Sequence, residues 1–356
     1  MTPDWTPWAP LDPPISLTAR GFAELVDGGQ AFRWWRQPDG TYHGQWSTHV
    51  AALRLSPPPP SRSAVPAERD RLSSSTAYPN VRGVSHPDLS PPKDDPFSPD
   101  IPTTLEWSAP LASATELATQ LPHYLGYTPA QTEALDRLPW RSDAHLARCI
   151  KAFPGLRILH QPFGETLLAF LCSATKQIVQ IKQMLALLAE HHGPPLPLSS
   201  SAFQPFSSSA FQPFSFSKNA LPTWAQLAKI PEAELRVCQL GFRAKYIAGT
   251  AQFLAAHPGW LDETAALPYI EAKTRLLTLP GVGEKIADCV LLFGAGQLEA
   301  FPVDTWMIKA MARRYQLTGW SPTQVAHFGR THFGPAAGLA QQYLFAWERA
   351  HGKATP

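Results

Sequence analysis

The chain is short of charge. Only 16% of its 356 residues are Asp, Glu, Lys or Arg, and 30 Lys and Arg stand against 28 Asp and Glu, a formal net charge of +2. So even a balance neither announces nor excludes a polyanionic partner, and any grip on one has to come from placed groups rather than from a broad basic field. Cysteine is scarce as well. Cys149, Cys172, Cys238 and Cys289 lie far apart and form no Cys-x-x-Cys pair, which argues against a disulfide framework or a zinc site and predicts a reducing, intracellular setting. The opening residues hold no basic stretch followed by an apolar run, and no uninterrupted apolar run reaches the ~18 residues that span a bilayer, so neither a signal peptide nor a membrane segment is predicted. What the chain has in quantity is apolar material, 44% including 12 Trp and 18 Phe, and 38 prolines. That is ample for a core and rules out global disorder. Length alone predicts two or three units.

Residues 15–56 read as strands. The runs Gln30 to Trp35 and Thr41 to Trp46 flank a Pro38-Asp39-Gly40 turn, and Val50 to Leu55 follows as a further apolar run, a pattern that predicts an antiparallel sheet. Residues 57–103 are rich in Pro, Ser and Asp, hold 12 of the 38 prolines and read as a disordered insertion that cannot bury enough surface to fold. Alternation resumes at Thr104 to Trp107, so the sheet is expected to continue there. From about residue 113 the period becomes helical, most clearly from Glu165 to His192, before a Gly193-Pro194-Pro195 stop. A direct repeat, SSSAFQPF, then occupies 199–206 and 207–214 within a loop spanning 194–220. Two short copies do not make a solenoid. Helical patterns resume near Pro222 and run to about Arg349.

One stretch concentrates chemistry: Leu279-Pro280-Gly281-Val282-Gly283-Glu284-Lys285-Ile286-Ala287-Asp288-Cys289, followed by Phe301-Pro302-Val303-Asp304-Thr305-Trp306. Pro280 ends a helix predicted from Lys273 to Leu279, Gly281 and Gly283 permit a tight hairpin with positive φ, and a new helix starts near Glu284. Amide N–H groups at such a hairpin and helix start can hold a phosphate without help from net charge. Lys285 falls in the first turn and Cys289 four residues on, so the two project from one face. The positive helix end disfavours a charged amine there and favours the neutral form that acts as a nucleophile.

These motifs resemble the helix-hairpin-helix and Gly-Pro-Asp region of DNA base-excision glycosylases, and within that superfamily the 8-oxoguanine glycosylases. The resemblance extends to Gly28-Gly29-Gln30-Ala31-Phe32-Arg33-Trp34, to Leu240-Gly241-Phe242-Arg243-Ala244-Lys245-Tyr246 and to Gly338-Leu339-Ala340-Gln341 through Phe345. Four separated motifs in order make it specific, and it covers most of the chain outside the insertion and the repeat. It implies an α+β, mainly α architecture. Residues 1–163 would form an N-terminal antiparallel, TBP-like sheet domain and residues 164–356 an all-helical domain, with the active site in the cleft between helical halves. It also implies Lys285 as the nucleophile and Asp304 as the group that stabilises positive charge developing on the sugar. The base pocket would be Gly29, whose carbonyl accepts the N7–H that 8-oxoguanine has and guanine lacks, together with Gln341, Cys289 and Phe345. Contacts to DNA would come from Gly281, Val282, Gly283, Phe242, Arg243, Thr175 and Trp306. The implied partner is double-stranded DNA containing 8-oxoguanine, acted on by a monomer without cofactor, metal or membrane, in the cytoplasm or nucleoid of a bacterium or the nucleus of a eukaryote.

Plainer roles stand beside these. Asp304 is a good N-cap for the helix it precedes. Cys289 suits a small buried apolar position, Gly28-Gly29 a simple turn, and Gln341 and Phe345 an ordinary helix. Phe242 could be core and Arg243 solvated. Departures from the family pattern also matter. Thr175 replaces an asparagine that contacts the opposite cytosine, Gln180 replaces a cytosine-contacting arginine, and Trp306 stands where histidine is common, so strict choice of an opposite cytosine is in doubt. An alkylpurine glycosylase and a non-catalytic helix-hairpin-helix DNA-binding module are the competing functions. The first typically lacks a lysine at position 285, and the second needs neither Lys285 nor Asp304. Enzymes with an iron–sulfur cluster are disfavoured because no cysteine follows Cys289.

Overall fold

The computed structural model describes residues 5–56, 102–196 and 217–351. Residues 57–101 of the Pro/Ser-rich stretch and the SSSAFQPF repeat therefore lie outside the described residues, whereas Thr103, read as the end of the insertion, opens a strand. Six strands, β1 (Ala9–Pro10), β2 (Ser16–Leu17), β3 (Trp34–Arg36), β4 (Tyr42–Trp46), β5 (His49–Leu55) and β6 (Thr103–Ser108), form an antiparallel sheet in the order β1-β6-β5-β4-β3, with β2 on a separate part of β6. The hairpin register sets Trp35 opposite His43, and β6 pairs with β5 through Leu53 opposite Trp107. The sheet does continue after the excursion, as the alternation at Thr104 to Trp107 predicts.

Two expectations for this region fail. Residues 15–56 are not all strand, because α1 (Ala19–Asp27) interrupts them: Thr18 caps it by accepting from the Gly21 N–H, and Phe22, Leu25 and Val26 line one buried face. Likewise the strand predicted from Gln30 begins only at Trp34, since the Gln30 carbonyl accepts from the Gln161 side chain rather than from a ladder partner.

The helices follow as α2 (Ala114–Tyr124), α3 (Pro129–Arg137), α4 (Ala144–Ala152), α5 (Phe163–Cys172), α6 (Ile178–His192), α7 (Trp224–Leu227), α8 (Glu232–Leu235) and α9 (Arg243–Ala256). Then come α10 (Trp260–Ala266), α11 (Tyr269–Leu276), α12 (Glu284–Gly294), α13 (Thr305–Tyr315), α14 (Pro322–Phe333) and α15 (Ala337–His351). The sheet packs on α2 through aromatic rings: Trp46 stacks on Tyr124 at 4.2 Å, and the Trp34 indole N–H donates to the Tyr124 hydroxyl at 3.0 Å. One continuous apolar core then runs from Leu11 through the sheet into α5, α12 and α15. Each fully buried Leu or Phe in it contributes about 1.5–3 kcal/mol.

The helical run from Glu165 to His192 is broken into α5 and α6. Thr175 stands at φ 54° between them, a left-handed conformation that no helix can pass through. The break turns Ser173, Ala174 and Thr175 toward the residues of α9 and α12 that they contact. The helix before the hairpin covers Tyr269–Leu276, earlier than predicted, because its last turn loosens three residues ahead of Pro280. The ends of the repeat loop meet: Leu196 N–H donates to Lys218 O and Ala220 N–H to Pro194 O, each at 2.9 Å. Arg33 donates to Asn219 O at 2.9 Å, so the β-sheet side holds that junction.

Candidate active site

Between α11 and α12 the chain turns through Leu279 to Gly283. The Val282 N–H donates to Leu279 O at 3.2 Å, and the Val282 side chain is buried beneath the turn. Gly281 has φ +78°, and a Cβ on it would fall 2.6 Å from Tyr246 Cγ, so no larger residue fits. Within the hairpin, positive φ is confined to Gly281. Gly283 is in extended backbone at φ −101° as the N-cap of α12, and nothing lies within 4 Å of where its Cβ would be. Its smallness leaves the N–H groups of the first α12 turn open to an approaching anion.

Below the hairpin an ion network ties α12 to α11. The Asp288 carboxylate, almost fully buried, accepts from the Tyr269 hydroxyl at 2.7 Å and from Lys273 Nζ at 3.0 Å, while Lys273 also reaches Glu284 at 2.5 Å. Burial raises the Asp288 pKa, with Lys273 and the tyrosine hydrogen bond pulling it back.

On its other face α12 presents Lys285 to a pocket. Lys285, Asp304, Gly29, Cys289, Gln341 and Phe345, drawn from four separate stretches of sequence, all line this one pocket, which Phe170, Phe293, Pro302 and Gln342 complete. The Lys285 amine donates to Ser173 Oγ at 3.3 Å and lies 4.9 Å from the centre of the Phe170 ring. Ser173 in turn donates to Phe170 O at 2.7 Å. Phe170 is held by stacking on Phe293 at 5.5 Å and by an edge contact with Phe32 at 5.4 Å. Burial pushes the Cys289 thiol up to about 12, with the Lys285 ammonium acting against it. The sulfur is therefore a neutral, polarisable wall and no rival nucleophile.

Asp304 does cap α13, its Oδ1 accepting from the Met307 N–H at 2.8 Å. The cap holds the carboxylate at the pocket wall, so capping and lining are done by one side chain. Gln341 is buried, and its Oε1 accepts from Gln342 Nε2 at 2.6 Å. Phe345 follows one turn later on α15, in line with the i, i+4 spacing.

Phe242 is 52% exposed at the start of α9, whereas Arg243 is 3% exposed. The plainer reading of a core Phe242 beside a solvated Arg243 is therefore corrected on both counts. Arg243 turns inward and donates to Ala174 O, to Thr175 Oγ1 at 3.0 Å and to Leu240 O at 3.3 Å, with its guanidinium 4.4 Å from the Phe242 ring. The left-handed turn at Thr175 supplies acceptors that a continuous helix would have used itself. Thr175 is exposed beside this pair, and Trp306 is half-buried on the first turn of α13, outside the pocket.

Sequence reasoning missed Phe170, Phe293, Gln342, Pro302 and Ser173 as part of the site. Phe293 was within reach, since Lys285, Cys289 and Phe293 are spaced i, i+4, i+8 on one helix face. Phe170 sits in a helix buried nearly all round, where periodicity singles out no residue.

Residues 198–332 match the family model of the HhH-GPD superfamily base excision DNA repair protein. The chain is 33% identical over 223 residues to N-glycosylase/DNA lyase OGG1 of Arabidopsis thaliana, a match covering 58% of this chain and 56% of that one. It is 30% identical over 175 residues to the N-glycosylase/DNA lyase of Saccharomyces cerevisiae, covering 46% and 43%. The chain thus spans about half, or less, of the curated relatives it matches. Among solved structures, the apo 8-oxoguanine glycosylase/lyase of Clostridium acetobutylicum is similar at a TM-score of 0.67 and 25% identity, covering 93% of each chain. A 3-methyladenine DNA-glycosylase from Archaeoglobus fulgidus shares the fold at a TM-score of 0.60 and 17% identity, covering 97% and 99%. Residues 198–332, less than half of the chain, thus resemble the HhH-GPD superfamily of base excision DNA repair proteins. Similarity in sequence extends to N-glycosylase/DNA lyases, and similarity in fold to an 8-oxoguanine glycosylase/lyase.

Proposed function

We propose that the protein is a bifunctional DNA glycosylase that removes 8-oxoguanine from duplex DNA and then nicks the abasic strand. The observation that carries this reading is the convergence of Lys285 and Asp304 with Gly29, Cys289, Gln341 and Phe345 on one pocket. The damaged nucleotide leaves the stack and enters that pocket. Phe242, exposed at the tip of α9, fills the gap as a wedge, and the amides of Gly281 and Gly283 hold the phosphates. Cys289 and Phe345 sandwich the base, Gln341 bonds its Watson–Crick edge, and the Gly29 carbonyl accepts its N7–H.

The Lys285 amine, once it has given up its proton, attacks the deoxyribose C1′. A C–N bond forms, the bond from C1′ to the base breaks with its electron pair leaving on the base, and the base takes up the proton that the amine nitrogen sheds on bonding. The Asp304 carboxylate stabilises positive charge on the sugar as this happens. Opening of the sugar ring gives a Schiff base on Lys285. Loss of a C2′ proton then expels the 3′ phosphate. Both halves of this reading rest on the lysine, because the fold alone is shared with a 3-methyladenine glycosylase.

The test is a labelled duplex with one 8-oxoguanine. Free base plus a nicked strand is expected from the wild type, and neither from Lys285→Gln. Base release without nicking favours a monofunctional glycosylase, and binding without either product favours the non-catalytic module.

A further inference from the structure

The turn that carries Gly29 is braced by a residue with no role in the proposed chemistry. Arg349 Nη1 donates to Gly28 O at 2.6 Å and also meets Glu24 Oε1 at 3.1 Å and Oε2 at 3.3 Å. Gly28 N–H closes α1 onto Glu24 O at 3.0 Å, and a Cβ on Gly28 would lie 2.1 Å from that oxygen. Gly29 itself stands at φ +103°, a conformation that only glycine adopts readily and that glycine also leaves readily. Arg349 lies on α15 at i+4 from Phe345 and i+8 from Gln341, and its guanidinium is 5.8 Å from the centre of the Phe345 ring. One side chain therefore touches both the peptide that precedes Gly29 and the ring across the pocket.

We propose that Arg349 is a positioning residue for base recognition, which sets the aim of the Gly29 carbonyl. The Gly28 carbonyl and the Gly29 N–H belong to one planar peptide unit, so holding that oxygen fixes the plane from which Gly29 hangs. Freed from it, the Gly29 carbonyl swings away from the N7–H position while Lys285 and Asp304 keep theirs. The inference rests on the proposed 8-oxoguanine glycosylase function.

Arg349→Met keeps an unbranched side chain of similar length and removes the donors. Excision of 8-oxoguanine, read as kcat/KM, is expected to fall roughly 10- to 100-fold, the scale of a displacement of about 1 Å in a positioned group. Cleavage of a preformed abasic site needs no base contact and should stay within about threefold. Arg349→Lys, which offers a single ammonium in place of the Nη1 that makes all three contacts, should recover part of the excision. Unchanged excision by Arg349→Met, or an equal fall in both activities, overturns the inference. A wild type that cleaves abasic sites but leaves 8-oxoguanine in place overturns the proposed substrate, and with it any recognition role for Arg349.

Discussion

Removing Lys273 should destabilise the protein in a way that acid repairs. The Asp288 carboxylate is 1% exposed and takes hydrogen bonds from Lys273 and Tyr269. Lys273→Met leaves that carboxylate with the tyrosine alone. Breaking a buried ion pair by deleting one partner costs about 3–5 kcal/mol, which corresponds to a fall in Tm of roughly 5–10 °C for a chain of this size. Asp288 already has a raised pKa in the native protein, and losing the lysine raises it further. The folded variant then holds a proton that the unfolded chain, with an ordinary Asp pKa of about 4, releases, so stability is lost as pH rises above about 4 toward the raised pKa and is regained on acidification. Urea melts of the wild type and Lys273→Met at pH 8 and pH 5.5 measure both quantities. Lys273→Met/Asp288→Leu should recover most of the loss, since apolar replacement of a buried pair is often neutral. A loss under about 1 kcal/mol at pH 8, or one of equal size at both pH values, would refute the reasoning that an unpaired carboxylate is the cost.

Acid acts on other groups with the opposite sign. Burial holds His43, His145 and His160 each at about 4, against about 6.5 in an unfolded chain. Between those values the unfolded chain binds protons that the folded one refuses, so stability falls as pH drops from about 6.5 to 4, by on the order of 1–3 kcal/mol per histidine. His160→Gln should flatten that fall, and a variant as steep as the wild type would contradict it. Gly281→Ala forces a side chain into positive φ and against Tyr246. It should weaken duplex binding about tenfold or more, equally for damaged and plain DNA, because phosphate contacts position without reading the bases. Fluorescence anisotropy with both duplexes checks this, and a loss confined to damaged DNA would contradict it. With Thr175 and Gln180 in place of cytosine-contacting residues, and Arg243 bonded inward to Thr175, excision should differ little opposite C, A, G and T. Rates on the four duplexes decide it, and a steep preference for C sinks the idea.

Residues carrying chemistry at fixed spacing were the most legible. Lys285 and Cys289 on one face, Gln341 and Phe345 on another, and Asp304 as a helix cap all follow from helical period and capping rules, and the pocket unites them. The sheet was legible through its turn at Asp39, whose side chain accepts from the Thr41 N–H at 3.0 Å. Long-range partners were not. Nothing local marks Thr175 as the point where α5 and α6 part, because the strain at φ 54° is compensated by Arg243, 68 residues away. Arg349 marked only the approximate end of the helical pattern, and the fold alone brings it to Gly28. The charge balance reads the same way. Residues 1–103 hold 9 Lys and Arg against 11 Asp and Glu, and residues 104–356 hold 21 against 17. Neither half carries a field strong enough to explain a grip on DNA, which leaves the hairpin amides as the main candidates.

The central claim is that the Lys285 amine forms a covalent bond to the sugar of the damaged nucleotide. Borohydride added to the protein with an 8-oxoguanine duplex should reduce that link, and peptide mapping of the trapped species should find the sugar on Lys285, with no adduct from Lys285→Gln. Excision and nicking with no trapped species, or an adduct on any other residue, would contradict the account.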